Sequence, residues 1–297
     1  MVETLTTFFG KEIKKAVSLS KAPSVITEHN VFQEEDPEIL AVVDSMTEQL
    51  LLPGSAFYGF ENIEELLEKA ESGKSCLLLS EHYSNMDLSI ISLMARKAGG
   101  RGDDIAKAIV AIAGMKLNED NPAVAAFASA YSRIVIFPSR NLPDADTEEN
   151  KAELARANAI NRAAMKALNE QKTKGKLVLV FPSGTRYRSW DPETKKGVRE
   201  IDSYIRSFDY MCFIAINGEI LSVQKTDMMN DIVNKDLVLV TAGPVISCAD
   251  FRQQIKAEID DDEKDEQKQT IADVIMAVLE EMHIAAEEKR QKLLNAK

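Results

Sequence analysis

The sequence lacks any stretch that could cross a bilayer as a helix. Its longest run without a charged residue, Leu237 to Ala249, is interrupted by Gly243 and Pro244 and falls well short of the ~20 apolar residues a span needs. Cysteine is scarce: Cys76, Cys212 and Cys248 are an odd, widely separated set, without the density of a disulfide framework or the close pairs that hold zinc. They are expected to be buried, reduced fillers, and no metal site is expected. Basic residues are in deficit, 36 Lys plus Arg against 48 Asp plus Glu for a net charge of -12. That balance disfavours nucleic acid or an anionic membrane as a generic partner, so any anionic ligand must meet a local cationic cluster. The N-terminal MVETLTTFFGKEIKK carries an acid at Glu3 and no apolar core followed by small residues, so it does not read as a secretion signal, and a cytoplasmic-type compartment is expected. Internal repeats and low-complexity segments are absent.

What is present is apolar mass: 297 residues, 45% of them hydrophobic, enough for a sizeable core. Residues 1–73 read as a small helical N-terminal domain, with Leu5, Phe8, Phe9, Ile13 and Val17, then Ile39, Leu40, Val43, Met46 and Leu50, at helical spacing. Asp36 and Pro37 form a helix start, Ser18 to Glu35 a linker, and Gly73 a stop after a helix over Glu61 to Ser72. From residue 74 to 297 the rhythm changes. Short apolar runs (76–80, 108–114, 133–137, 176–181, 211–216, 236–242) alternate with amphipathic stretches such as Leu88 to Lys97 and Glu148 to Thr173. This predicts an α/β domain with a mixed, mainly parallel sheet flanked by helices. The charge-dense run Glu258 to Gln269 reads as a solvated loop, followed by a C-terminal helix with Ile271, Val274, Ile275, Val278, Met282 and Ala285 on its stripe.

Three histidines limit the choice of a general base that works near neutral pH. His29 lies in the linker and His283 off the apolar stripe of the last helix, so both are expected to face solvent. His82 follows the apolar run CLLLS and precedes a helical pattern, at the strand-to-helix turn where α/β active sites gather. Asp87 lies five residues on, within reach of the imidazole. A carboxylate there would orient the ring and stabilise its protonated form. Alone, such a pair is as readily a loop and a capping residue. A second block, FPSGTRYR (181–188), ends a buried-type strand in a Ser-Gly turn and sets Arg186 and Arg188 two apart. In an extended segment both could grip one phosphate, or both could be surface arginines. Trp190, Lys195, Lys196 and Arg199 could flank a ligand or line a surface loop.

HYSNMD resembles the His-x-x-x-x-Asp motif of the glycerolipid acyltransferases, and FPSGTRYR resembles their Phe-Pro-Glu-Gly-Thr-Arg-x-Arg block. RIVIFPSR places Arg140 where that family sets a basic residue against the substrate phosphate. The three blocks occur in order, and the resemblance extends over most of the chain. The branch of soluble plastid-type glycerol-3-phosphate acyltransferases is similar in its Pro-Ser-Gly, its Arg-x-Arg and an Asp-Pro turn, here Asp191 and Pro192. It also carries a helical N-terminal domain and lacks spanning helices. The chain departs from it at Asn141, where that branch has the second residue of a Lys-His pair, and at Thr185, which follows the membrane-bound relatives.

The resemblance implies transfer of a fatty acyl group from an acyl carrier protein or coenzyme A thioester to the sn-1 hydroxyl of glycerol 3-phosphate. His82 would be the base, Asp87 its partner, and Arg140, Arg186 and Arg188 the phosphate ligands. Backbone N–H groups at Ser183 and Gly184 are candidates for the oxyanion, and no metal or redox cofactor is expected. A soluble, stroma-like compartment fits as well, and peripheral contact with a membrane is compatible with the lipid product. No Gly-x-Ser-x-Gly turn argues for an acyl-enzyme. The rivals are sn-2 acylation of lysophosphatidate with the same motifs, a catalytically silent lipid-phosphate binding module, and a hydrolase using His82 and Asp87 on water. Lys172, Lys174 and Lys176 could dock an acidic carrier protein or be solvated helix-end lysines.

Overall fold

The computed structural model describes residues 2–119, 121–139, 142, 147–258 and 264–296. In chain order its elements are α1 (Leu5–Phe8), α2 (Gly10–Leu19), β1 (Phe32–Gln33), α3 (Pro37–Leu50), β2 (Ala56–Tyr58), α4 (Phe60–Glu71), β3 (Cys76–Ser80), α5 (Asp87–Ala98) and α6 (Gly102–Ala108). Next come β4 (Ile109–Gly114), α7 (Lys116–Glu119), α8 (Pro122–Ala128), β5 (Arg133–Ile136), α9 (Glu148–Thr173), β6 (Leu177–Val180), α10 (Ile201–Ser207) and β7 (Tyr210–Asn217). The chain closes with β8 (Leu221–Ser222), β9 (Ile232–Val233), β10 (Leu239–Ala242), β11 (Ile246–Ser247), α11 (Cys248–Ala257) and α12 (Lys264–Asn295).

One sheet organises the molecule, in the order β1-β5-β4-β6-β3-β7-β10-β2 with β11 beside β7. Its centre, β5-β4-β6-β3-β7, is parallel throughout; β1, β10 and β11 join antiparallel. The fold is the mixed, mainly parallel α/β expected from the alternating runs. β3 is buried at every position, as a central strand covered on both faces must be. Cys76 and Leu78 pack into one apolar cluster with α3, α4 and α5, while Leu77 and Leu79 pack into the other with α9, α10 and α12. This is the two-residue alternation of a pleated strand, and each face buries its own helices.

That division fixes where a ligand can sit. The chain leaves β3 toward α5 on one face and leaves β6 toward α10 on the other. The carboxyl ends of adjacent strands β3 and β6 therefore open a crevice, the switch point where open α/β sheets bind ligands. Helix starts follow local chemistry. Asp36 caps α3 by accepting from the Glu38 and Ile39 amides ahead of Pro37, and Thr147 caps α9 through the Asn150 amide.

Two expectations are corrected. Residues 1–73 are not all helical: β2 pairs in parallel with β10, β1 pairs with β5, and Leu5, Phe9 and Ile39 share the apolar cluster that contains Cys76 and Ile214. Both strands are too short to show a period. The charged run ending at Gln269 is helical from Lys264 on, because intrahelical pairs such as Lys268 with Asp265 accommodate its mixed signs; residues 259–263 lie outside the described residues. Cys76, Cys212 and Cys248 are buried and unpaired, and burial pushes each thiol up to about 12. No helix among the described residues is long and apolar enough to cross a membrane.

Candidate active site

His82 stands just past the end of β3, and Asp87 opens α5. The loop between them folds so that His82 Nδ1 lies 2.8 Å from Asp87 Oδ2. The same oxygen accepts from the Tyr83 amide at 2.6 Å and the Ser84 amide at 2.9 Å, while Oδ1 accepts from the Ser84 hydroxyl at 2.9 Å. Ser84 in turn accepts from the Met86 amide. Asp87 is 2% exposed, and a carboxylate that deep persists because four donors and the N-terminus of α5 surround it. An ionised carboxylate only accepts, so the proton it faces belongs to Nδ1, and Nε2 keeps the lone pair. Among the described residues nothing takes Nε2 as a partner. The ring is further fixed by stacking on Phe181, with centroids 4.0 Å apart and planes 17° apart.

Phe181 begins the second block. Phe181, Pro182, Ser183 and Gly184 form a tight turn closed by the Gly184 amide on the Phe181 carbonyl at 2.9 Å, with Gly184 at φ 61°. The Ser183 hydroxyl donates to the Thr185 carbonyl at 2.7 Å. The Gly184 N–H is thus already engaged, which argues against it as an oxyanion donor. Beyond the turn, the Tyr187 amide donates to the His82 carbonyl at 2.8 Å, so the backbone carrying Arg186 and Arg188 is tied directly to the dyad loop. The two sequence blocks do meet.

The two arginines are not equivalent. Arg186 Nη1 pairs at 2.6 Å with Oδ2 of Asp231, which is fully buried and also accepts from the Gln224 amide. Burial raises the Asp231 carboxyl, and the Gln224 amide and Arg186 oppose that rise. Arg186 therefore balances a buried carboxylate, and only its remaining N–H groups are open to a ligand. The Arg188 side chain forms no ion pair among the described residues, while its amide donates to Thr194 Oγ1 at 2.8 Å. Arg140 lies outside the described residues. Lys195 pairs with Glu280, Lys196 with Glu193 and Arg199 with Asp265. Lys172 Nζ donates to the Ser207 carbonyl and Lys176 Nζ to the Lys107 carbonyl, leaving less of that lysine patch for a partner.

A cavity of about 730 Å³ opens at His82. Its walls are mainly apolar and come from both faces of the sheet: Ala113, Phe127 and Met86 on the α5 side, Ala164, Leu168 and Ile201 on the α9 side. Gly114, which ends β4, and Gly184, in the turn after β6, form part of its lining.

Sequence reasoning missed Glu81 and its partner His283 beside the dyad loop. Glu81, 5% exposed, accepts from the Ile216 amide at 2.9 Å and the Tyr83 hydroxyl at 2.9 Å, and its Oε2 is 3.0 Å from His283 Nδ1. His283 is thus half-buried and paired rather than solvent-facing. The stripe of α12 misplaced it because Glu81, a charged group, lies under that helix. Burial would lower the His283 pKa, but its hydrogen bond to Glu81 and the charges of Glu81 and Glu280 outweigh this and raise it. The only signal in the sequence was an acid directly after the apolar run CLLLS.

A family model described as Acyltransferase matches residues 57–214, a span that includes His82, Asp87, Arg186 and Arg188. No curated protein matches the chain.

Proposed function

Because the chain belongs to the acyltransferase family, whose model covers more than half of it, we propose that it is a glycerol-3-phosphate 1-O-acyltransferase of glycerolipid synthesis. The observation that carries this reading is His82, held by Asp87 with its Nε2 unengaged, beside a cavity of acyl-chain character. Nε2 takes the proton of the sn-1 hydroxyl as that oxygen attacks the thioester carbonyl. Asp87 stabilises the imidazolium that forms. Collapse of the tetrahedral adduct expels the thiolate, which takes from Nε2 the proton that the hydroxyl gave up. Each group is restored after one turnover, and no acyl-enzyme is needed.

Arg188 and the unengaged N–H groups of Arg186 hold the acceptor's phosphate, with Arg140 as a third cation on the strength of the motif. Fixing the phosphate converts a two-substrate encounter into a positioned attack. The donor is a thioester of an acyl carrier protein or of coenzyme A, with no metal or redox cofactor, and the product's lipid character suits peripheral contact with a membrane. A soluble, cytoplasmic-type compartment belongs to the same reading.

The second reading, sn-2 acylation of lysophosphatidate, draws on the cavity having walls on both sheet faces, which gives room for a second chain. The deciding experiment supplies purified protein with either thioester and either acceptor, comparing wild type with His82→Ala. Glycerol 3-phosphate consumption that depends on His82 is expected. Consumption of lysophosphatidate alone would select the second reading, and equal turnover by His82→Ala would remove both.

A further inference from the structure

The contacts around His82 close into a circuit. On one side the His82 carbonyl accepts from the Tyr187 amide, next to Arg186, whose Nη1 lies 2.6 Å from Asp231 Oδ2. On the other side Asn85, in the dyad loop, directs its Nδ2 at the Met228 sulphur at 3.0 Å, and the Met228 carbonyl accepts from the Asp231 amide at 3.3 Å. Two routes therefore join the dyad loop to the Arg186 guanidinium, one through backbone and one through Met228. On the second route Asn85 and Met228 line the cavity together with His82. An acceptor with its hydroxyl at Nε2 and its phosphate on Arg186 spans the same two ends, so its carbon frame runs beside the Met228 side chain.

The segment that carries Met228 is fixed. Met228–Asn230 is a single 3-10 turn, capped by Asp227, which accepts from the Met229 amide at 2.8 Å. β8 and β9 pair on either side of it, Leu221 with Val233 and Ser222 with Ile232. The N-terminal residues lie across it: the Leu5 amide donates to the Asp231 carbonyl at 2.8 Å, the Thr6 hydroxyl to the Met229 carbonyl at 2.8 Å, and the Val233 amide to the Glu3 carbonyl at 2.9 Å. Leu5 and Met229 also line the cavity. A wall tied at this many points moves aside for a bulkier ligand only by breaking hydrogen bonds of about 1 kcal/mol each. Both segments lie outside residues 57–214, so this wall is added to the part of the chain that matches the family.

Glycerol 3-phosphate and lysophosphatidate share a phosphate and an attacking hydroxyl, and the second carries an ester where the first has another free hydroxyl. Neither the dyad nor the arginines read that difference, since they bind the groups both acceptors have. Discrimination falls to the wall between them. We propose that Met228 sets the size of the acceptor site, admitting a glycerol phosphate without an acyl chain and excluding one that carries it. This rests on reading His82 and Arg186 as the two ends of the acceptor site.

The test compares the full-length wild type with Met228→Ala, Met228→Val and Met228→Leu, each offered glycerol 3-phosphate or a short-chain, monomeric lysophosphatidate. Calorimetry reads binding without a donor, and His82-dependent turnover is read with thioesters of acyl carrier protein and of coenzyme A in turn. Wild type is expected to prefer glycerol 3-phosphate. Met228→Ala should move the ratio of the two affinities toward lysophosphatidate by about 10- to 100-fold, the range that one missing methylene commands in a pocket. Met228→Val should move it the same way by less, and Met228→Leu, of nearly the same volume, should keep it. Met228 is half-buried and its side chain caps nothing, so the truncations leave the fold in place, which melting temperatures check. The inference is overturned by a ratio that Met228→Ala and Met228→Val leave unmoved, or by one that Met228→Leu shifts as far as Met228→Ala. Equal affinity of wild type for the two acceptors, or binding of neither, overturns it as well. Turnover without the shift sinks only this inference, and the shift without turnover sinks only the proposed activity.

Discussion

Replacing Asp87 by Asn isolates one component of the proposed chemistry, the negative charge on the imidazole partner. The Tyr83 and Ser84 amides both point at Oδ2, the oxygen that His82 Nδ1 also meets. An Asn amide nitrogen in that position would face two fixed donors, so the Asn oxygen takes it and the nitrogen turns to the Ser84 hydroxyl, which can accept by rotating. The fold and the His82 tautomer are therefore retained, and only the charge is lost. A lower bound on its worth is the difference between hydrogen bonds to charged and to neutral groups, about 1 kcal/mol. An upper bound is the Coulomb energy of two charges about 4 Å apart at an effective dielectric of about 20, about 4 kcal/mol. At about 1.4 kcal/mol per decade, kcat should fall between about 5-fold and about 1,000-fold, with little change in acceptor KM. Release of free thiol from the thioester, followed with a chromogenic thiol reagent, measures it, and thermal unfolding checks that the variant is folded. A folded Asp87→Asn enzyme within twofold of wild type would refute the role of Asp87 and, with it, the description of His82 as an assisted base. Asp87→Ala should lose as much activity and also stability, since it leaves two buried amides unpaired at about 1–3 kcal/mol each.

Arg186→Met should destabilise the protein by about 3–5 kcal/mol by leaving the buried Asp231 without a counter-ion, lowering the melting temperature by roughly 10 °C. Pairing it with Asp231→Asn should restore most of that stability but not the acceptor KM, which separates the structural role from phosphate binding. Arg188→Ala should raise acceptor KM about tenfold or more with no change in melting temperature, because no ion pair is lost. His283→Gln should remove a pH-dependent contribution to stability. The folded-state pKa of His283 is raised, so its contribution is complete below the ordinary histidine value, down to where carboxylates protonate, and disappears as pH rises through the raised one. Melting temperatures of wild type and variant should therefore differ most on the acid side and converge in alkali; a constant difference would count against the Glu81–His283 pair as its source. Gly59→Ala should unfold readily, since its Cβ would lie 2.2 Å from the Ala242 carbonyl oxygen at φ 66°.

The strands were legible where burial on both faces makes a run almost wholly apolar, as in CLLLS and the stretch Leu177 to Phe181, and α9 where its stripe extends between Thr147 and Gly175. β1 and β2 were not, since two or three residues carry no period and their place in the sheet depends on strands a hundred or more residues away. At the site, His82 and Asp87 were legible because the turn that joins them is local. Arg186 was visible as a cation, but its commitment to Asp231 was not, because a partner 45 residues away leaves no mark in spacing. His283 was misplaced for the same reason: its partner Glu81 is 202 residues distant.

The two carboxylates that bracket the dyad loop, Glu81 and Asp87, divide the work of holding one imidazole. Asp87 binds the ring itself. Glu81 holds the backbone on which the ring stands, through the Ile216 amide on β7, and it anchors α12 through His283 and the Tyr83 side chain through its hydroxyl. A histidine just past a strand end has only the following loop to orient it, and this loop contains no proline to restrict it. Rigidity must come from side chains, and the buried charge at Glu81 supplies it by recruiting three donors from three separate segments. Loss of Glu81 should therefore act on His82 through geometry. Its effect on turnover should resemble a displaced base, with lower kcat and unchanged donor affinity, whereas Asp87→Asn leaves the base in place and removes only its charge support.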